Sequence, residues 1–108
     1  LFDVFITEKF EEQFKKLTKK DATLKKRLSE KIAEMKKEKP SSQVGIVADF
    51  RGKCKMRMER YRLLYAYCQD CREYKHQAYN KCVGCETKDN NALVFFEVFH
   101  RSKDYRNF

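Results

Sequence analysis

Lys53-Cys54-Lys55-Met56-Arg57-Met58-Glu59 alternates strictly, with Cys54, Met56 and Met58 on one side and Lys53, Lys55, Arg57 and Glu59 on the other. A period of two is the mark of a β-strand with one face against a core and the other toward water. Here the outer face is cationic. A tight reversal at Glu59 and Arg60 leads into Tyr61-Arg62-Leu63-Leu64-Tyr65-Ala66-Tyr67-Cys68, aromatic and apolar enough for a central strand. Ala92-Leu93-Val94-Phe95-Phe96-Glu97-Val98-Phe99-His100 is the most strand-like run of the chain and reads as the heart of the same sheet. Paired in order, the three make an antiparallel meander. Upstream, Gln43 to Phe50 reads as a further short strand or an extended approach.

The segment before the meander supplies the cover. Phe2 to Thr7 has strand composition, and Thr7 is placed to cap a helix from about Glu8 to Leu17, on which Phe10, Phe14 and Leu17 share a face. Asp21 offers a second cap, after which Leu24, Leu28, Ile32 and Met35 form one stripe as far as Lys37 or Glu38. Pro40 and two serines end it. The expected class is therefore α+β: a small, mostly antiparallel sheet covered on one face by two N-terminal helices. The terminal Arg101 to Phe108 is short and polar.

At 108 residues the chain suits a single domain. Nine Phe and six Tyr are too many aromatics for a disordered tail. No run approaches the roughly 18 apolar residues of a membrane span, and Leu1 to Lys9 lacks a signal-peptide pattern, so the expectation is a soluble, cytoplasmic protein with no membrane partner. Lys and Arg number 25 against 16 acids, a formal +9 that favours an anionic partner. Residues 8–39 hold 12 basic and seven acidic residues, the pattern of a solvated helical surface. Residues 51–62 hold six basic and one acidic residue, and lie on the alternating strand and its turn.

Four cysteines form Cys68-x2-Cys71-x10-Cys82-x2-Cys85, two pairs at the spacing by which tight turns present thiolates to a tetrahedral Zn²⁺. Paired disulfides, a redox dithiol or an iron centre are the other chemistries open to this set, and His76 is a substitute ligand for one thiolate. A four-cysteine site is closed to substrate, so the zinc is expected to be structural, stapling residues 68–85 as a knuckle inserted before the last strand. Cys54, between Lys53 and Lys55, reads as a small buried residue.

Lys53, Lys55 and Arg57 on one strand face, Arg62 across the turn, and His100 and Arg101 at the end of the last strand make a plausible phosphate-binding set, with Tyr105 close behind. Arg51-Gly52, Lys53-x-Lys55, Tyr61-Arg62-Leu63-Leu64-Tyr65, Val94-Phe95-Phe96, His100-Arg101 and Tyr105, in that order, resemble the RelE/ParE toxin superfamily, nearer its RelE branch. The resemblance spans nearly the whole chain apart from the cysteine loop. It implies the toxin of a toxin–antitoxin pair, an endoribonuclease that cuts mRNA on the ribosome without a catalytic metal, by attack of a ribose 2′-OH on the adjacent phosphate.

Carried over by position, the resemblance gives Lys53 and Lys55 phosphate and proton handling, Arg62 and Arg101 the transition-state charge, and Tyr105 base stacking or proton transfer. Arg51, Arg57 and Lys103 are supporting RNA contacts. His100 is an alternative general base, its ordinary pKa being near 6.5, or it finishes the strand by bonding to backbone. A lysine base must be desolvated or crowded by other cations to lose its proton near neutrality. A cognate antitoxin with an acidic or amphipathic segment is the implied protein partner. Two other readings stay open: a ParE-like inhibitor of DNA gyrase, and a non-catalytic RNA- or ribosome-binding module to which the cysteine loop adds cations and tyrosines.

Overall fold

A computed structural model describes residues 1–39, 53–73 and 85–102. In chain order they form β1 (Asp3–Ile6), α1 (Glu8–Thr18), α2 (Ala22–Lys37), β2 (Cys54–Met58), β3 (Tyr61–Tyr67), α3 (Cys68–Glu73), a single 3-10 turn (Cys85–Thr87) and β4 (Ala92–His100). The approach at Gln43 to Phe50 falls outside the described residues.

Both long helices begin where their caps demand. The Thr7 hydroxyl accepts from the Phe10 N–H at 3.1 Å, and the Asp21 carboxylate accepts from the Leu24 N–H at 2.9 Å, each meeting a donor the first turn leaves unpaired. Glu8 and Glu11 at the start of α1, and Lys36 and Lys37 at the end of α2, complement the helix dipoles.

The four strands lie in the order β1-β4-β3-β2. β2, β3 and β4 are the expected antiparallel meander, while β1 runs parallel to β4 along its other side, making the sheet mixed. In the chain α1 and α2 stand between β1 at one edge of the sheet and β2 at the other, and the meander then brings β4 back beside β1. The two helices lie on one face, where Phe10, Leu24, Leu28 and Met35 close over Leu63, Tyr65, Tyr67, Leu93, Phe95 and Val98. Cys54, Met56 and Met58 extend that core from β2, as their alternation predicts. Each fully buried side chain of this size contributes roughly 1.5–3 kcal/mol of transfer free energy.

The opposite face differs from expectation. Cations line it at β2, but over β3 and β4 it carries a second buried apolar cluster of Leu64, Ala66, Val94, Phe96 and Phe99, joined by Cys68 and Cys71. β3 ends at Tyr67, and Cys68 opens a helix where the last strand residue and a loop turn were expected. A spacing of three puts Cys68 and Cys71 on one side of a helical turn, and α3 thereby covers the apolar part of this face.

β4 contains a one-residue bulge. Leu64 is opposite Glu97 while the next residue, Tyr65, is opposite Phe95, so Phe96 is the extra residue. Backbone groups that the bulge and the end of β1 leave open are taken by α1 and its cap. Thr7 N–H donates to the Phe95 carbonyl at 3.1 Å and Thr7 Oγ1 to the Phe96 carbonyl at 2.8 Å. Gln13 Oε1 accepts from the Val98 N–H at 2.8 Å.

Candidate nucleic-acid interface

The β2–β3 register decides which cations meet. Lys55 stands opposite Leu64 and Arg57 opposite Arg62, on the face turned away from α1 and α2. Lys53, one residue before β2, reaches over the same face and holds its Nζ 5.0 Å from the centre of the Phe96 ring, a cation–π contact. Lys53, Lys55 and Arg62 are half-buried and Arg57 is exposed, so an apolar floor lies beside a cationic rim.

Arg62 is the most constrained of the four. One terminal nitrogen donates to the carbonyls of Glu59 at 3.0 Å and of Tyr61 at 2.8 Å, curling the guanidinium toward the hairpin turn. Its Nε is buried and has no hydrogen-bond partner among the described residues. Burying such a donor without a partner costs about 1–3 kcal/mol, and the group is satisfied when an acceptor arrives. Among the described residues no carboxylate lies within ion-pair distance of Arg57 or Arg62. Glu59, the single acid of residues 51–62, is drawn away: its carboxylate pairs with Arg27 of α2. Glu59 also holds a left-handed backbone, φ 57°, which lets the two-residue turn close.

Arg101 follows β4 and donates its backbone N–H to the Arg60 carbonyl at 2.7 Å, bringing the end of β4 against the β2–β3 turn. Both are exposed. Arg60 is a further exposed cation, in the turn between Arg57 and Arg62, that the strand pattern alone did not single out. Its position in the turn carried the signal, because any pairing of β2 with β3 sets it beside Arg57 and Arg62.

His100 is set apart. It pairs with Tyr61, whose side chain packs against the helix-side core, and so lies on the face opposite to Lys55, Arg57 and Arg62. The two rings meet edge to face at 5.3 Å. His100 Nδ1 accepts from the Ser102 N–H at 3.1 Å and lies 2.8 Å from Ser102 Oγ. His100 thus bonds to backbone just past the end of β4, on the other face of the sheet from Lys55, Arg57 and Arg62. Arg51, Lys103 and Tyr105 lie outside the described residues.

Cys68, Cys71 and Cys85 occupy the far end of the same face. Cys68, Cys71 and Cys85 line one shallow depression with Ala66, Arg72, Lys88, Val94 and Phe96. Arg72 closes its rim, donating to the carbonyl of Cys85 at 2.8 Å, to that of Lys88, and to Asn90 Oδ1 at 2.5 Å. Among the described residues no three His, Cys, Asp or Glu side chains form a ready-made metal cage; Cys82 and His76 lie outside them. Cys54 sits in the helix-side core, as read from its place in the alternation.

Comparison of the chain with family models, with curated proteins and with solved structures finds no match. Among the described residues no helix is long and apolar enough to cross a membrane.

Proposed function

We propose that the chain is a RelE-like toxin, a metal-independent endoribonuclease that cuts mRNA on the ribosome and is held in check by an antitoxin. The observation that carries this reading is Arg62: a guanidinium with a buried N–H unpartnered among the described residues, opposite Arg57 and on the same face as Lys53 and Lys55. An RNA phosphate supplies the missing acceptor and the missing counter-charge together. The order strand, helix, helix, three-strand meander also agrees with the small sheet and helical cover that the resemblance implies.

In the proposed reaction the ribose 2′ oxygen attacks the adjacent phosphorus while its proton passes to a base. The bond to the 5′ oxygen then breaks as that oxygen takes up a proton, leaving a 2′,3′-cyclic phosphate. Lys53 and Lys55 handle protons and phosphate oxygens. Arg62, with Arg101 and supported by Arg57 and Arg60, meets the charge that builds on the phosphorane, where fixed donors contribute most. Tyr105, and Arg51 and Lys103 as RNA contacts, belong to the proposal through the resemblance. A basic chain that acts on ribosomes works in the cytoplasm and suits an acidic antitoxin.

The test is primer extension on a defined mRNA translated by purified ribosomes with the protein added. Cuts confined to A-site codons and dependent on ribosomes are expected. Lys53→Ala with Lys55→Ala should lower the cleavage rate by about 10²–10⁴-fold, the range of a missing acid–base group. Unchanged cleavage in that double variant would sink the assignment. RNA binding that falls steeply with salt but yields no cuts would leave a binding module, and inhibition of gyrase supercoiling without RNA binding would leave the ParE-like reading.

A further inference from the structure

Among the described residues the exposed large hydrophobic side chains are Leu1, Phe5 and Ile6, all in β1 or just before it. β1 is an outer strand of the sheet, and its hydrogen bonds show which of its backbone groups face outward. The N–H groups of Asp3 and Thr7 donate inward, to the carbonyls of Asn91 and Phe95. Alternate residues of a strand turn their backbone groups to opposite sides, so Phe2, Val4 and Ile6 turn theirs outward. Phe2 already has a partner there, the Lys36 carbonyl at the end of α2, at 2.7 Å. Val4 to Ile6 therefore form an apolar edge with open backbone groups, without the proline or charge that usually guards one.

We propose that β1 pairs with β1 of a second copy of this chain, antiparallel about a two-fold axis at Phe5, so that two four-stranded sheets become one continuous sheet. The register follows from which groups are open. With Phe5 opposite its own twin, Val4 of each copy stands opposite Ile6 of the other, and the two exchange hydrogen bonds. A centre at Val4 sets Ile6 against Phe2, whose N–H is taken, and a centre at Ile6 sets Val4 against Glu8, already inside α1. The axis at Phe5 makes the two rings a non-hydrogen-bonded pair, the position where facing side chains come closest and aromatic pairs stabilise a sheet.

Charge complementarity selects a second copy as the occupant. In this register Phe2 lies opposite Glu8, so the end of α2 that Phe2 holds comes beside the start of the other copy's α1. Lys36 and Lys37 are exposed at that end of α2 and outweigh Glu38, while Glu8 is exposed at the facing start of α1. Among the described residues none of Lys36, Lys37 and Glu8 has an ion pair within its own chain. The helix dipoles agree, since the negative end of α2 meets the positive end of α1. The two-fold axis repeats the contact, as in any self-complementary interface. β2, with Lys55 and Arg57, lies at the other edge of each sheet, so the pairing leaves the cationic face open and does not rest on the nuclease reading.

The deciding experiment is sedimentation equilibrium of the full chain from micromolar to millimolar concentration. A monomer–dimer equilibrium that weakens as salt rises is expected, because the helix-end charges are screened. Ile6→Lys sets a cation on the apolar edge, as natural edge strands do to stay unpaired, and should raise the dissociation constant about tenfold or more. Should that variant fail to fold, a charge swap decides: Glu8→Lys should weaken the dimer, and adding Lys36→Glu with Lys37→Glu should restore it. Circular dichroism checks that each variant keeps the parent fold. A parent chain that sediments as a monomer throughout overturns the proposal and leaves the edge to a strand from another protein. A dimer indifferent to both Ile6→Lys and the charge swap overturns it as well, since that dimer uses another surface.

Discussion

Arg57 of β2 and Arg62 of β3 are direct cross-strand partners, two guanidiniums facing each other with no carboxylate among the described residues to separate them. Like charges so placed cost a sheet roughly 0.2–1 kcal/mol. Arg57→Ala should therefore fold as stably as the parent or slightly better, while weakening RNA binding. The plot of log affinity against log salt for single-stranded RNA should flatten by about 0.7, the share of a single phosphate. Fluorescence anisotropy over a salt series measures it, and an unchanged slope removes Arg57 from the interface.

Tyr65 and Tyr67 are both fully buried, but the described residues satisfy only one hydroxyl. Tyr67 donates to the Met35 carbonyl at 2.8 Å, whereas the Tyr65 hydroxyl has no partner among them. Tyr67→Phe should cost about 1 kcal/mol, the usual worth of a hydrogen bond, and strand the Met35 carbonyl. Tyr65→Phe removes an unpaired polar atom from the core and should be neutral or stabilising. Urea melts of the two variants compare them directly; equal losses would mean that the Tyr65 hydroxyl has an acceptor.

Burial pushes both phenols above their ordinary value of 10.0, with Cys54 adding to the effect at Tyr65 and Asp70 at Tyr67. Below that pH the groups are neutral in folded and unfolded chains alike. Above it the unfolded chain releases protons that the folded chain retains, so stability falls as pH rises. Each tyrosine contributes up to about 1.4 kcal/mol per pH unit to that fall. Urea midpoints taken across pH ~9 to ~11 should drop, and the Tyr65→Phe chain should drop less steeply.

Gln13 bridges α1 to the bulged strand with both ends of its amide, accepting from Val98 N–H and donating to Glu97 Oε1 at 3.3 Å. Lys9 reaches the same carboxylate at 2.9 Å. Gln13→Leu keeps the size but leaves the Val98 N–H without its acceptor, at a cost of about 1–3 kcal/mol. A fall in Tm of several degrees is expected for a domain of this length. Hydrogen exchange at Val98 should accelerate beyond the global change; protection equal to that of the parent would refute the bridge.

Most of the architecture could be read from local pattern because its signals are local. Thr7 and Asp21 cap helices because their side chains reach the next turn, and the alternation from Lys53 to Glu59 sorts itself onto two faces wherever the strand sits. The parallel pairing of Asp3–Ile6 with Ala92–Phe95 joins segments nearly 90 residues apart and leaves no mark in either. The helix at Cys68 is hidden for a different reason: two cysteines three apart suit a tight turn and a helical turn equally. In the site, register alone brings Lys55, Arg57 and Arg62 together, but grouping His100 with them assumes that nearness in the meander means a shared face. Leu93 to Phe99 is apolar at nearly every position, so no polar alternation reveals on which side a residue falls.

The extra residue in β4 works like a shift of reading frame written into a strand. Regular alternation through Phe96 would carry Val98 out of the helix-side core and swing His100 around to the arginines. Looping one residue out restores the phase, so that Val98 and His100 face the helices and Phe99 stands opposite Arg62. A chain shortened by one residue at Phe96 would keep those three side chains on their present sides, whereas a deletion at Val98 would exchange the sides of the residues beyond it. The far end of β4 can thus lose a residue at one position and keep its chemistry where it is.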